Sequence, residues 1–346
     1  MSPRRAAFAT LLLAVVAAWL LGGCGHPKRP APAFTIVTDS LLAPPPGGGT
    51  LRLVRLRDPR GTVHEAWLRL PPPETGIGAD SARHVPVVIV GGIGTGRHAA
   101  TLVPCPPGYA LVALDYPYAG PRAPTREELL RAVPEIHRAA HATPHGVAAT
   151  IAWLRTRADM DRRGALVVGA SFGVPFVLRG LALLPRESGD AGKGQGPASV
   201  RAVCLLYGGA DLPNLVRYRM RDRPGWEREA AAWGLALLFP ELEPARWIGR
   251  VAPKPLLFIN GRRDELVGEA NARLLHARAG EPKTVVWIDS EHMRPEADAL
   301  LVDLVERARR WFEELPVSAP GSSAGASGRR PRARRPWRGR RGRFGR

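Results

Sequence analysis

From Val85 onward the chain alternates short, unbroken apolar runs with longer stretches of helical periodicity. The runs are VPVVIV (85–90), YALVALDY (109–116), GALVVG (164–169), VRAVCLLYG (200–208), KPLLFING (254–261) and KTVVWID (283–289). Between them lie stretches such as GVAATIAWLRTRA (146–158) and ELVGEANARLLHARA (265–279). A strand that is apolar at every position must be covered on both faces, so strands of this kind separated by helices predict a parallel sheet with helices on either side. Residues 51–70, LRLVRLRDPRGTVHEAWLRL, follow a different rule: polar and apolar positions alternate on both sides of an Asp58–Gly61 turn, which predicts an antiparallel hairpin. A helix is predicted from about Pro295 to Leu315, and no repeat period is apparent. The fold class expected is therefore α/β, with a mostly parallel central sheet, helices on both faces and an N-terminal antiparallel hairpin.

The two ends carry different patterns. Arg4 and Arg5 precede an apolar run, Ala6–Leu21, which is followed by Leu21-Gly22-Gly23-Cys24. A run near 16 residues is shorter than the ~20 that span a bilayer, and basic residues, an apolar core and small residues in that order make a secretory signal. Leu-Gly-Gly-Cys resembles the lipobox of bacterial lipoproteins. That resemblance implies a signal peptide over 1–23, acylation of Cys24 and a place in the cell envelope facing the periplasm or exterior. Gly25 after the cysteine favours the outer membrane. Residues 24–49 are rich in Pro and Gly and read as a tether; 50–315 is the folded domain; 316–346 is a Ser/Gly/Ala stretch and an Arg-rich tail that cannot build a core.

Composition changes this picture in one respect. The net charge of +19 suggests a nucleic-acid binder, but ten of the arginines lie between Arg329 and Arg346 with no acid among them. The basicity belongs to a tail, which in an exported protein reads either as a contact for anionic lipid head groups or as a solvated, disordered segment; nucleic acid is not an expected partner. With Cys24 acylated, Cys105 and Cys204 remain, either as one disulfide or as buried thiols, and the strand-like setting of Cys204 favours a buried thiol.

Candidate chemistry starts at GASFG, residues 169–173, where a strand-like run meets a serine and passes at once into a helical segment. Side chains at the C-terminal ends of parallel strands face the crevice in which such sheets bind ligands. A strand-to-helix turn this tight needs Gly169 and Gly173, whose missing Cβ atoms would otherwise collide with neighbouring backbone. The alternative role for Ser171 is a helix N-cap. The pentapeptide matches Gly-x-Ser-x-Gly, the nucleophile elbow, in which an acid and then a histidine follow along the chain. Asp264 stands in the loop after KPLLFING, and His292 stands after KTVVWID, both at the same edge. A serine hydroxyl needs a base within hydrogen-bond reach, an imidazole titrating near ~6.5 can take and return its proton, and a carboxylate fixes the tautomer. The oxyanion then needs fixed donors, here the backbone N–H groups of Phe172 and of Ile93 in the GGIGTG loop.

Over about residues 50 to 315 the chain resembles the α/β-hydrolase superfamily, most closely its dienelactone-hydrolase-like and esterase branches. Gly91-Gly92-Ile93 stands where many members have His-Gly-x, and Ser171 stands where dienelactone hydrolases use cysteine, which favours ordinary ester chemistry. LDYPYAGPR resembles the Asp-containing turn after the family's fourth strand. The resemblance implies a serine hydrolase, foremost a carboxylesterase acting on an uncharged small-molecule ester through an acyl-enzyme, without a cofactor or metal. It also leaves open a peptidase of the prolyl-oligopeptidase type and a non-catalytic binding lipoprotein. Residues 211–253 stand where many members insert a cap. Trp226, Trp233, Phe239 and Trp247 in that segment suggest an apolar acyl chamber roofed by it.

Competing readings attach to other residues. GTGRHA (94–99) with Asp115 fits a dinucleotide fingerprint, but it leaves Ser171, Asp264 and His292 unused. His137, His141 and His145 recur at the spacing of metal ligands on a helix, in a helix that Pro144 is expected to interrupt. Asp211 is the runner-up acid, and Glu291 reads as a solvated neighbour of His292.

Overall fold

The computed structural model describes residues 34–72, 83–92, 94–120, 125–186, 197–294 and 298–315. Nine strands form one sheet: β1 (Thr35–Leu41), β2 (Thr50–Arg57), β3 (Val63–Leu70), β4 (Val85–Val90), β5 (Tyr109–Leu114), β6 (Ala165–Ala170), β7 (Val200–Leu206), β8 (Leu256–Gly261) and β9 (Lys283–Ile288). Their order is β1-β2-β3-β5-β4-β6-β7-β8-β9. The five pairings from β5 to β9 are parallel, and those among β1, β2, β3 and β5 are antiparallel. All six apolar runs are strands, and each parallel crossover carries its chain across one face of the sheet.

The predicted hairpin is β2–β3. Asp58 organises its turn, because its carboxylate accepts the N–H groups of Arg60 (2.9 Å) and Thr62 (3.0 Å) and faces the Nε2 of buried His64 at 3.0 Å. Gly61 takes φ +86°, the left-handed conformation that such a bulged turn requires.

Seven helices are described: α1 (Ala99–Leu102), α2 (Arg126–Thr156), α3 (Gly173–Leu183), α4 (Leu212–Arg219), α5 (Gly225–Leu238), α6 (Glu269–Arg278) and α7 (Asp298–Glu314). One face of the sheet packs against α2 and α3 through Val88, Val112, Val167, Val147, Ile151 and Val177. The other face packs against α7 through Leu166, Cys204, Leu257, Leu304, Ala308 and Phe312. Near β3 and β5 that second face is covered, among the described residues, by a short 3₁₀ turn, Gly96–His98, whose His98 packs on Trp67, and by the single turn of α1 through Ala99 and Ala100.

Two expectations are corrected here. Residues 24–49 are not all tether, since Thr35–Leu41 pairs with β2 as an edge strand; its residues are nearly all exposed, so the strand shows no apolar face that periodicity would reveal. Pro144 does not interrupt its helix either: α2 runs 31 residues through both Pro134 and Pro144. A helix-interior proline costs ~3 kcal/mol. α2 also buries Val147, Ile151, Trp153 and Leu154, each worth about 1.5–3 kcal/mol, so packing wins. Its start is fixed by a capping box between Thr125 and Glu128.

Candidate functional site

Ser171 follows β6 at its C-terminal end, with φ +50°. A serine at positive φ is strained, and strain of this kind is retained where the surroundings over-determine it. Here the Ser171 N–H donates to the Leu206 carbonyl (2.8 Å), while the Ser171 carbonyl accepts the N–H of Val174 (3.1 Å). Gly173 is sterically required, and Gly169 sits where a side chain would be crowded. A Cβ on Gly173 would overlap the carbonyl oxygen of Val90, and one on Gly169 would stand 3.2 Å from Val177 Cγ2 and 3.3 Å from Val174 Cα. The helix that follows is apolar almost throughout and buries its first turn beneath the sheet edge, so the hydroxyl is held outward by packing beneath it.

The hydroxyl meets the two residues expected to accompany it. Ser171 Oγ is 2.8 Å from His292 Nε2. His292 Nδ1 is 2.9 Å from each carboxylate oxygen of Asp264. With its proton on Nδ1, the ring donates to Asp264 and accepts from Ser171. Asp264 is itself held by the N–H groups of Leu266 (2.8 Å) and Val267 (3.0 Å), and both His292 and Asp264 are buried while Ser171 is half-buried. The result is a hydroxyl, an imidazole and a buried carboxylate in one hydrogen-bonded line, an arrangement that can supply a nucleophile, a base and an orienting acid. Phe172 is the N-cap of α3, so its N–H stands with those of the first helical turn, where the intrahelical ladder supplies no acceptors. Ile93 lies outside the described residues, as does Cys24.

The structure also assigns neighbours that pattern reading passed over. Tyr116 donates from its hydroxyl to the Gly91 carbonyl at 2.5 Å, pinning the start of the GGIGTG loop, and its ring packs on Phe172 and Phe176 at 5.6 and 5.4 Å. Burial, and after it the Asp115 carboxylate, pushes the Tyr116 phenol well above its ordinary range, so it stays a donor. Tyr207, at φ +52°, sets its ring edge-on to His292 at 5.3 Å and bonds Ser290 Oγ at 2.5 Å. Glu265 accepts the His292 backbone N–H at 3.3 Å and pairs with Arg294 at 3.2 Å. An aromatic or an acid next to a strand end reads as ordinary core or surface, so no sequence signal marks these residues out.

The competing residues are placed elsewhere. Asp211 is the N-cap of α4, where it accepts the Asn214 N–H at 3.1 Å, and it makes no hydrogen bond to His292. Glu291 is exposed. Asp115 is occupied within its own loop, accepting the Tyr116 N–H at 3.0 Å and lying 3.6 Å from Arg97; a Cβ on Gly96 would run into its carboxylate, so that glycine serves the turn rather than a dinucleotide. His137 and His141 face each other at 3.0 Å, with Glu241 at 3.3 Å from the Nδ1 of His141. Among the described residues no cluster of three or more metal-ligating side chains occurs. Cys105 and Cys204 are both buried and free.

The expected chamber roofed by residues 211–253 is corrected. A cavity of about 430 Å³ opens at Ser171, but no residue of that segment lines it. Trp226 and Trp233 on α5 are instead 64% and 70% exposed. The walls come from β4, β5 and β6, from the loop after β4, and from α7, and they are almost wholly apolar.

No family model and no curated protein sequence matches the chain. Solved structures do resemble it. The acetyl xylan esterase from Paenibacillus sp. R4 is 13% identical, with a TM-score of 0.52 and coverage of 87% of this chain and 93% of its own. Acetyl xylan esterase 1 from Thermoanaerobacterium sp. JW/SL YS485 is 14% identical, with a TM-score of 0.51 and coverage of 87% and 92%. At such identities the likeness is one of fold, and the fold is the α/β-hydrolase architecture.

Proposed function

We propose that the protein is a serine hydrolase of ester bonds, a carboxylesterase acting through an acyl-enzyme on Ser171. The observation that carries this reading is the continuous hydrogen-bonded line from Ser171 Oγ through His292 to Asp264, ending at a serine held in a strained, outward-facing turn. His292 takes the hydroxyl proton as Oγ attacks the ester carbonyl carbon, then gives it to the departing alcohol. The acyl-enzyme is split by a water that His292 deprotonates in its turn. The N–H groups of Phe172 and Ile93 stabilise the oxyanion. Esterase activity of the structural neighbours agrees with this reading. The substrate is an uncharged small-molecule ester, and the protein is tethered to the cell envelope by acylated Cys24.

Three residues acting as one unit lose activity together and not additively. Ser171→Ala, His292→Ala and the double variant are expected to fall to similar residual rates, each down by several orders of magnitude, with folding intact. Asp264→Asn should also be severe because an amide selects the wrong imidazole tautomer, while Asp211→Asn should leave turnover close to normal. A fluorophosphonate probe should label Ser171 in the native protein. Near-normal ester turnover by folded Ser171→Ala would sink the proposal.

A further inference from the structure

The cavity at Ser171 is larger than a small acyl group requires, and it has a direction. It begins at Gly91, Ala170 and Ser171, at the C-terminal edge of the sheet, and continues past Ile89 and Val168 to Tyr109 and Phe312. Tyr109 stands opposite Val85 in the β4–β5 register, six residues back along β4 from Gly91. At ~3.3 Å per residue the channel is therefore about 20 Å long, parallel to the strands. The chain's own sequence creates it. The crossover from β4 to β5 forms only one turn of 3₁₀ helix, Gly96–His98, and the four residues of α1, then meets Pro104, Pro106 and Pro107, none of which continues a helix. A full-length helix would have covered this face of β4, β5 and β6. In its absence α7 forms the far wall, with Leu301, Val305, Ala308 and Phe312 turned toward the strands.

We infer, building on the esterase reading, that this channel between the sheet and α7 holds the acyl chain of the substrate, and that the substrate class is esters of medium to long unbranched fatty acids. Three observations favour a chain over other occupants. The walls are apolar along the length while Ser171 stands at one end, which suits a tail bearing a single reactive carbonyl. The volume of about 430 Å³ falls in the range of ligand sites, far beyond what an acetyl group fills. The geometry also favours the acyl part over the alcohol: the alcohol must leave, and water must enter, while the acyl group stays bound to Ser171, so a side channel suits the group that remains.

The experiment uses the full-length protein with p-nitrophenyl acetate, butyrate, octanoate and dodecanoate below their micellar concentrations. Each buried methylene is worth about 0.8 kcal/mol, so kcat/KM is expected to rise up to about fourfold per methylene until the channel is full. Val168→Trp plugs the channel from the sheet and Val305→Trp from α7; either should cut the octanoate-to-acetate ratio of kcat/KM by about tenfold or more. A folded variant, judged by circular dichroism and melting, that keeps the wild-type ratio overturns the inference, as does a flat chain-length profile in the wild type. A dependence on alcohol length in alkyl acetates in place of acyl length overturns the acyl assignment. Binding of free dodecanoate to Ser171→Ala, read by calorimetry, separates the two readings: binding that Val168→Trp abolishes supports the channel even if no ester is turned over, and absence of binding refutes it even if acetate is hydrolysed.

Discussion

Tyr116 is a candidate positioning residue for the proposed reaction. Its hydroxyl holds the Gly91 carbonyl, and Gly91 leads into the loop from which the second oxyanion donor is proposed to come. Tyr116→Phe keeps the ring stacking on Phe172 and Phe176 but frees the loop. A donor displaced from the developing oxyanion loses interaction in the transition state more than in the ground state. The expected outcome is a fall in kcat of about tenfold with KM nearly unchanged, set beside a small loss of melting temperature for the unpaired carbonyl. A rise in KM at constant kcat would mark Tyr116 as a binding residue instead. Ser171, Asp264 and His292 were legible because each follows a strand run, in the order one fold demands. Tyr116 and Tyr207 were not, because an aromatic after a strand has the same signature whether it packs or positions.

At the scale of elements, the seat of α6 against β8 depends on a neutral histidine. His276 Nε2 lies 2.9 Å from Asn260 Oδ1, and Asn260 in turn donates to the Gly208 carbonyl at 3.0 Å, at the end of β7. Burial, then the charges of Arg273 and Lys283, lowers the His276 pKa from 6.5 to about 4. The native state thus binds this proton less readily than the unfolded chain, so its contribution to stability is full above about 6.5 and declines as the pH falls toward 4. Urea unfolding at pH 7 and pH 5 should show the wild type losing of order 1–2 kcal/mol more than His276→Gln, which cannot titrate. Equal losses would place the acid sensitivity elsewhere. The hairpin was readable because its positions alternate, β4 to β8 because they are apolar runs buried in the sheet, and β9 because its apolar run survives at a half-exposed edge. β1 was not, being an exposed edge, and the long α2 was hidden by prolines whose cost its buried face outweighs. The assignment of the chamber to residues 211–253 failed because aromatic content marks an apolar surface without saying which way it faces.

Taken whole, the molecule joins a hydrolase-like domain to two ends whose roles rest on sequence. If Cys24 is the acylated residue, mass spectrometry of the membrane fraction should find a mature chain that begins there and carries lipid; a soluble mature chain with another start would refute it. Deleting residues 328–346 should weaken salt-sensitive binding to anionic vesicles, at roughly 1 kcal/mol per basic residue near the surface, and leave ester turnover as it was. Equal vesicle binding by both forms would remove the tail from membrane contact.

On the proposed mechanism, the line from Ser171 to His292 also governs when the chain becomes reactive. The two residues lie 121 positions apart, and the strands that deliver Asp264 and His292, β8 and β9, are the last to be synthesised and close the far edge of the sheet. Contacts of such long range form late in folding, because the loop between them must be ordered first. Until β9 has docked, Ser171 is an ordinary alcohol with no base beside it. On the esterase reading, a chain still lacking β9 is therefore chemically inert, and its reactivity begins with the docking of the final strand.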